Sequence, residues 1–215
     1  MRNTSTEQWT VVNRFETDKG EVYVNKQCMH CWQPACATAC LTNAMYKTQE
    51  GPVIWREDKC MGCRYCMVAC PFDIPKYEWE KTMPWVQKCT FCSERIGAGM
   101  QPACVQTCPT GALFYGSEKD VVAKAWERMS MDSKASPQIQ RKYTGKIYGE
   151  KEVGVTAWKY IADRPFAELG LNTRVGTKAL PTFTWSHLSK IPVEIVLFAA
   201  ALGGLVAVRG RNTKG

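Results

Sequence analysis

Twelve cysteines in 215 residues, all between Cys28 and Cys108, constrain this chain more than any other feature. They make up about 5.6% of it (12 of 215), whereas a disulfide scaffold is a shorter, secreted chain in which Cys exceeds about 8–10%. The cysteines fall into three blocks. The first is Cys28-x2-Cys31-x4-Cys36-x3-Cys40, the second Cys60-x2-Cys63-x2-Cys66-x3-Cys70-Pro71, and the third Cys89-x2-Cys92-x11-Cys104-x3-Cys108-Pro109. Gln33-Pro34-Ala35-Cys36 recurs as Gln101-Pro102-Ala103-Cys104, so the third block repeats the first with a longer spacer. Metal binding explains such clustering better than cross-linking does. A chain of this length, 45% hydrophobic and 22% charged, builds a sizeable core, and wholesale disorder is excluded.

The second block has the spacing of the bacterial ferredoxin run, in which three close thiolates take three irons of a [4Fe-4S] cube and the fourth Cys reaches a neighbouring cluster. Two-residue gaps let one loop bring three sulfurs to a small body, and Pro71 fixes the chain leaving it. Exchanging fourth ligands between the first two blocks assigns Cys28, Cys31, Cys36 and Cys70 to one cluster, and Cys60, Cys63, Cys66 and Cys40 to a second. The third block then supplies Cys89, Cys92, Cys104 and Cys108 to a third, giving three [4Fe-4S] clusters with iron held through all twelve Cys.

Other chemistries fit less well. Zinc accepts four thiolates, but zinc ribbons pair two Cys-x2-Cys knuckles, whereas the second block places four Cys in eleven residues. A zinc-stabilised, membrane-tethered interaction module is the alternative reading. No acid, base or nucleophile set is visible, because His30 and His187 are far apart in sequence, so no catalytic residue is assigned and the chain reads as non-enzymatic. His30, inside the first cluster loop, is either a donor to a cluster sulfur or a loop filler.

The formal charge of +8 counts every Cys as a neutral thiol. Twelve thiolates with three oxidised cubes bring the loaded protein to about +2, and a nucleic-acid partner loses its support. Lys26, Lys59, Arg64 and Lys88, beside the cysteines, offset cluster charge or are solvated. Trp32, Tyr65, Phe72, Tyr77, Trp79, Trp85 and Phe91 crowd the same region and read as core that keeps water from the clusters.

Outside the cysteines, alternation in Trp9–Phe15 and Glu21–Val24 predicts two strands joined at Asp18-Lys19-Gly20. Ser117 with Asp120 resembles a helix cap, followed by an apolar stripe of Val122, Trp126 and Met129 to about Met131. From Ser133 to Lys190 the chain is polar, basic and Cys-free, with one strand-like piece at Val153–Ile161, and is expected to wrap or dock. Met1–Gly20 has no positive segment followed by an apolar run, so export is expected to depend on a partner's signal.

Ile191–Val208 has one charge, Glu194, and its 18 residues span ~27 Å as a helix, enough for a bilayer core. Trp185 precedes it as an interfacial anchor, and Arg209, Arg211 and Lys214 close it. By the positive-inside rule the C-terminus is cytoplasmic and the cluster domain lies on the periplasmic side of the inner membrane. Ala199, Ala200, Gly203 and Gly204 allow close contact with another membrane helix. The alternative is a buried core helix.

Taken together, the motifs Cys-Met-His-Cys…Pro-Ala-Cys, Cys-Met-Gly-Cys-Arg-Tyr-Cys-Met-Val-Ala-Cys-Pro-Phe-Asp-Ile-Pro and Cys-Thr-Phe-Cys…Pro-Ala-Cys…Cys-Pro-Thr-Gly-Ala-Leu resemble the polyferredoxin-type iron–sulfur (beta) subunits of membrane-bound oxidoreductases. Respiratory formate dehydrogenase beta subunits and the iron–sulfur subunits of periplasmic nickel–iron hydrogenases are of this kind. The resemblance covers about residues 8–116, and the stretch Ile147–Gly154 with the C-terminal helix is similar to the anchored members. It implies an α+β fold of tandem bacterial 2[4Fe-4S] ferredoxin-like domains with a C-terminal extension and a single transmembrane helix. The expected division is 1–116 for the clusters, 117–189 for a helix and docking extension, and 190–215 for the anchor and basic tail. The expected partners are a large catalytic subunit, molybdopterin formate-dehydrogenase-like or nickel–iron hydrogenase, an integral membrane quinone- or haem-binding subunit, and membrane lipid. Family members usually carry a further Cys run near the N-terminus, and none precedes Cys28 here. Either Cys89, Cys92, Cys104 and Cys108 close one cube, or the chain starts at an internal Met of a longer protein and Cys108 serves another cluster.

Overall fold

A computed structural model describes residues 1–134 and 143–212. The chain divides into two compact units, Met1–Ala179 and Leu180–Gly215. The first unit opens with a hairpin, β1 (Val11–Thr17) and β2 (Gly20–Lys26), paired from Thr17↔Gly20 to Val11↔Lys26. The hairpin was legible, but β1 lies two residues beyond its expected start. Trp9 falls outside the ladder because its indole N–H donates to the Thr6 carbonyl at 3.0 Å. The two-residue turn sets the register and buries Val11 and Asn13.

Two similar modules follow. In each, a helix of four or five residues carrying a Cys leads into a short antiparallel hairpin: α1 (Ala35–Thr38) before β3 (Met45–Lys47) and β4 (Val53–Trp55), then α2 (Tyr65–Ala69) before β5 (Lys76–Tyr77) and β6 (Val86–Gln87). The third block forms α3 (Ser93–Gly97) and α4 (Ala103–Thr107). Pro34 and Pro102 stand just before α1 and α4 in the repeated Pro-Ala-Cys, where a missing N–H and a fixed φ start a helix at little cost.

Cys36, Met45, Val53, Cys66 and Val86 form the core between the modules, with Trp55, Met67 and Tyr77 packed on it. The expected aromatic core is therefore corrected. Trp32, Tyr65, Trp79 and Trp85 are exposed, and the buried side of the modules is taken by sulfur and aliphatic carbon.

Ser117 caps α5 (Glu118–Lys134): its hydroxyl accepts the Asp120 N–H at 3.2 Å and donates to the Asp120 carboxylate at 2.7 Å. The apolar stripe is partly corrected, since Met129 is buried but Trp126 is about half exposed. Val153–Ile161 is not one strand. Its last two residues, β8 (Tyr160–Ile161), pair with β7 (Ile147–Tyr148), and the chain between makes a tight loop with Val153 and Val155 at positive φ. Gly149, at φ +103, closes that loop: a Cβ there would lie 2.5 Å from the Trp158 carbonyl and 2.6 Å from the Thr156 hydroxyl.

This extension docks at two places. Trp32 N–H donates to Val155 O at 3.0 Å, and Trp158 N–H to Met29 O at 3.1 Å, so the loop clasps the first Cys-x-x-Cys turn. Val24, Ala162 and Leu169 form a second small core with Phe15, Tyr160 and Phe166. There Arg164 pairs with Asp163 at 2.7 Å and reaches Gly20 O at 3.1 Å and the Thr17 hydroxyl.

The second unit is helical: α6 (Leu180–Leu188) and α7 (Ile191–Asn212). Leu180–Leu205 is long and apolar enough to cross a membrane, with a mean hydropathy of 1.7. The sequence missed α6, although Pro181 in its first turn and the spacing of Leu180, Phe183 and Leu188 signal it. Lys214, expected to close the span, lies outside the described residues.

Candidate iron–sulfur sites

The three blocks share one backbone conformation despite unequal spacing. His30, Gly62 and Phe91 each sit second after the first Cys of a Cys-x-x-Cys, and each has positive φ, at 45°, 72° and 60°. Asn43, Asp73 and Gly111, third after Cys40, Cys70 and Cys108, repeat this at 55°, 52° and 61°. Left-handed residues turn successive N–H groups to one side, which makes an anion-binding concavity. At Gly62 a side chain would meet the Tyr77 hydroxyl at 3.1 Å, so glycine fits both the angle and the space.

Backbone N–H groups in the three blocks meet sulfur. Met45 N–H donates to Cys40 Sγ at 3.3 Å, Phe91 N–H to Cys89 Sγ at 3.4 Å and Ala103 N–H to Cys92 Sγ at 3.5 Å. The same offsets recur after each fourth Cys: Thr42, Ala44 and Met45 for Cys40, Phe72 and Ile74 for Cys70, and Thr110, Ala112 and Leu113 for Cys108. The Thr42 and Thr110 hydroxyls lie 3.7 and 3.5 Å from Cys40 and Cys108 Sγ. Together these donors hold Cys40 below the usual thiol range against the upward pull of burial. Cys108, favoured first by the Thr110 hydroxyl and then by the Leu113 N–H, falls to about 7.

Sulfurs from different blocks come together. Cys40, from the first block, lines a small cavity with Cys60, Cys63 and Cys66 of the second. Burial pushes the Cys66 thiol up to about 11, and Cys40, Cys60 and Cys63 add to the rise. Burial pushes Cys31 up to about 12 and raises Cys36, and in both cases Cys28 and Cys70 add to the effect. Cys70 is pushed by burial to about 11, with Cys28 contributing. Cys89 is pushed by burial to about 12, with contributions from Cys28 and Cys104, while Cys104 rises through burial and then Cys92 and Cys108. The twelve thiols thus form three neighbourhoods, and Cys28 and Cys89 link the first to the third.

Among the described residues no three of His, Cys, Asp and Glu approach closely enough for a single metal ion. Two orphaned buried donors also fit a sulfur-rich guest: the Trp55 indole N–H, whose ring lines the cavity with Cys40, Cys60, Cys63 and Cys66, and His30 Nε2. Of the expected cations, Lys88 is buried and donates to Cys89 O at 2.9 Å and to Val53 O. Arg64 stacks on Tyr77 and Trp79, at 5.5 and 4.8 Å. Lys59 is exposed. Sequence reasoning missed the backbone donors and the clasp at Val155–Trp158; the Thr-x-Ala shared after Cys40 and Cys108 was the signal for the former.

The 4Fe-4S dicluster domain family matches residues 20–118. A protein of Nitratidesulfovibrio vulgaris is 39% identical over 216 residues, covering 99% of this chain and 56% of the relative. The hydrogenase-2 operon protein HybA of Escherichia coli O157:H7 is 34% identical over 95% of this chain and 68% of its own length. The nitrate-inducible formate dehydrogenase iron-sulfur subunit of Escherichia coli K12 is 33% identical over 94% and 68%. The chain therefore spans between about half and two thirds of the length of these relatives. By its cysteine pattern, its dicluster domain and its likeness along nearly the whole chain, this protein belongs to the family of iron–sulfur subunits that includes HybA and the formate dehydrogenase iron-sulfur subunits.

Proposed function

We propose that the chain is a non-catalytic electron-transfer subunit with three [4Fe-4S] sites. The first is Cys28, Cys31, Cys36 and Cys70, the second Cys60, Cys63, Cys66 and Cys40, and the third Cys89, Cys92, Cys104 and Cys108. A bound cluster takes up and gives back one electron at a time. The observation that carries the reading is the exchange of neighbours between blocks, with Cys40 in the cavity of the second and Cys70 beside Cys28, Cys31 and Cys36. The thiolates bind, the turned-in N–H groups hold their negative charge, and Met45, Val53 and Val86 keep water from the seam between the first two sites. The proximity of Cys28 to Cys89 supports a spatial order of second, first, third rather than chain order.

The names of the relatives support a hydrogenase or formate dehydrogenase complex as the setting; a catalytic subunit, molybdopterin formate-dehydrogenase-like or nickel–iron hydrogenase, and a quinone- or haem-linked membrane subunit are the partners that the family resemblance implies. The exposed apolar helix supports a single anchor. Arg209 and Arg211 beyond it favour a cytoplasmic C-terminus and a periplasmic cluster unit.

Iron counts on paired substitutions test the crossed ligands. Replacing Cys36 and Cys70 together is expected to remove one cluster's iron, about 4 of about 12, because both serve the first site. Replacing Cys36 and Cys40 is expected to remove about twice as much. Equal losses from the two pairs would contradict the crossing.

A further inference from the structure

We infer that His30 donates a hydrogen bond from Nε2 to a sulfur of the first site, with its proton fixed there by the backbone of a neighbouring hairpin. The inference rests on the cluster reading above. His30 is completely buried. Its Nδ1 accepts the Val53 N–H at 3.0 Å, and an imidazole nitrogen that accepts carries no proton. With Nδ1 accepting, the ring carries its one proton on Nε2.

Nε2 meets no acceptor among the described residues. The ring cannot turn to find one without losing Val53, and it is packed against Phe91 with ring centroids 4.6 Å apart. The polar side chains around it do not help. Lys47 donates to Cys31 O at 3.2 Å and Gly51 O at 2.6 Å, and Lys88 to Val53 O and Cys89 O, so both are donors already engaged. A buried N–H without an acceptor is costly, and native folds rarely keep one. The turn that holds His30, Cys28-Met29-His30-Cys31, carries two of the thiolates given to the first site, and in the loaded protein their cluster sulfur is the acceptor we assign to Nε2.

The equivalent left-handed positions in the other two turns are Gly62 and Phe91, which have no side-chain donor. His30 thus distinguishes the first site. Donors to sulfur favour the more negative, reduced state and raise the potential, so this histidine raises the first site relative to a site lacking it. It acts on the cluster as a tuning residue and takes no part in substrate chemistry.

The test uses the full iron-loaded chain with 15N-histidine and His187→Gln, which leaves His30 as the sole histidine. Pulsed ENDOR of the dithionite-reduced protein is expected to show a 15N coupling and an exchangeable proton on one cubane signal, the one altered by Cys36→Ser. In His30→Phe with full iron, that signal is expected to titrate at a lower potential while the others stay unchanged. Absence of the 15N coupling where cubane signals are present, a coupling on a different cluster, or an unchanged potential in iron-replete His30→Phe would each overturn the inference. The coupling is read with His30 in place, so a variant that fails to fold does not decide the matter. A reduced parent protein with no cubane signal at all would instead sink the cluster reading beneath it.

Discussion

Lys88 carries an ammonium group into the interior, where it ties the β4 carbonyl of Val53 to the carbonyl of Cys89 at the head of the third block. Lys88→Met keeps the length of the side chain but leaves two buried carbonyls without that donor. The expected loss is about 2–3 kcal/mol, read as a lowered anaerobic melting temperature, with iron leaving the third site first. A variant as stable as the parent would show that water replaces the ammonium. At this scale the sequence was most legible where chemistry is concentrated. The cysteines, their spacing and the oddity of His30 inside a cluster turn were all visible. The Nδ1 bond to Val53 was not, because it joins residues 23 apart across two loops, and no local pattern encodes such a pairing.

Among the elements, the short helices and hairpins of the cysteine region carry the cysteines, with Pro and Gly at fixed offsets, which is why the repeat could be read. The segment after α5 could not, since its folding depends on docking rather than on its own periodicity. Val155–Trp158 takes its shape by bonding to the first Cys turn, and Ala162 and Leu169 by packing on Val24 of β2. The Asp163–Arg164 pair fastens this docking to β1 and β2 through Thr17 and Gly20. Arg164's hydrogen bonds hold the Asp163 carboxyl below its usual range, and a depressed carboxyl stabilises the fold above its unfolded pKa of about 3.9. That contribution is fully present at neutral pH and is lost as pH falls through the lowered value. Asp163→Asn is therefore expected to cost about 2 kcal/mol at pH 7, with the gap to the parent closing below about pH 4. Melting both proteins at each pH cancels any acid loss they share, and a gap independent of pH would contradict the role given to the pair.

As a whole molecule, the chain joins a cysteine-rich unit to an apolar helical one, and its formal charge of +8 describes the metal-free sequence. Leu180–Leu205 is a candidate membrane span by its length and apolar composition. Composition and the basic tail made that helix legible, whereas the spatial order of the sites depends on which turns abut across the core. The central claim is that these twelve thiols hold cubane clusters that pass single electrons. Iron analysis of the anaerobically purified full chain, combined with EPR of the dithionite-reduced sample, tests it most directly. The account predicts a brown protein with about 12 irons per chain and S = 1/2 cubane signals that disappear on reoxidation. A colourless protein holding zinc, or iron without cubane signals on reduction, would contradict it.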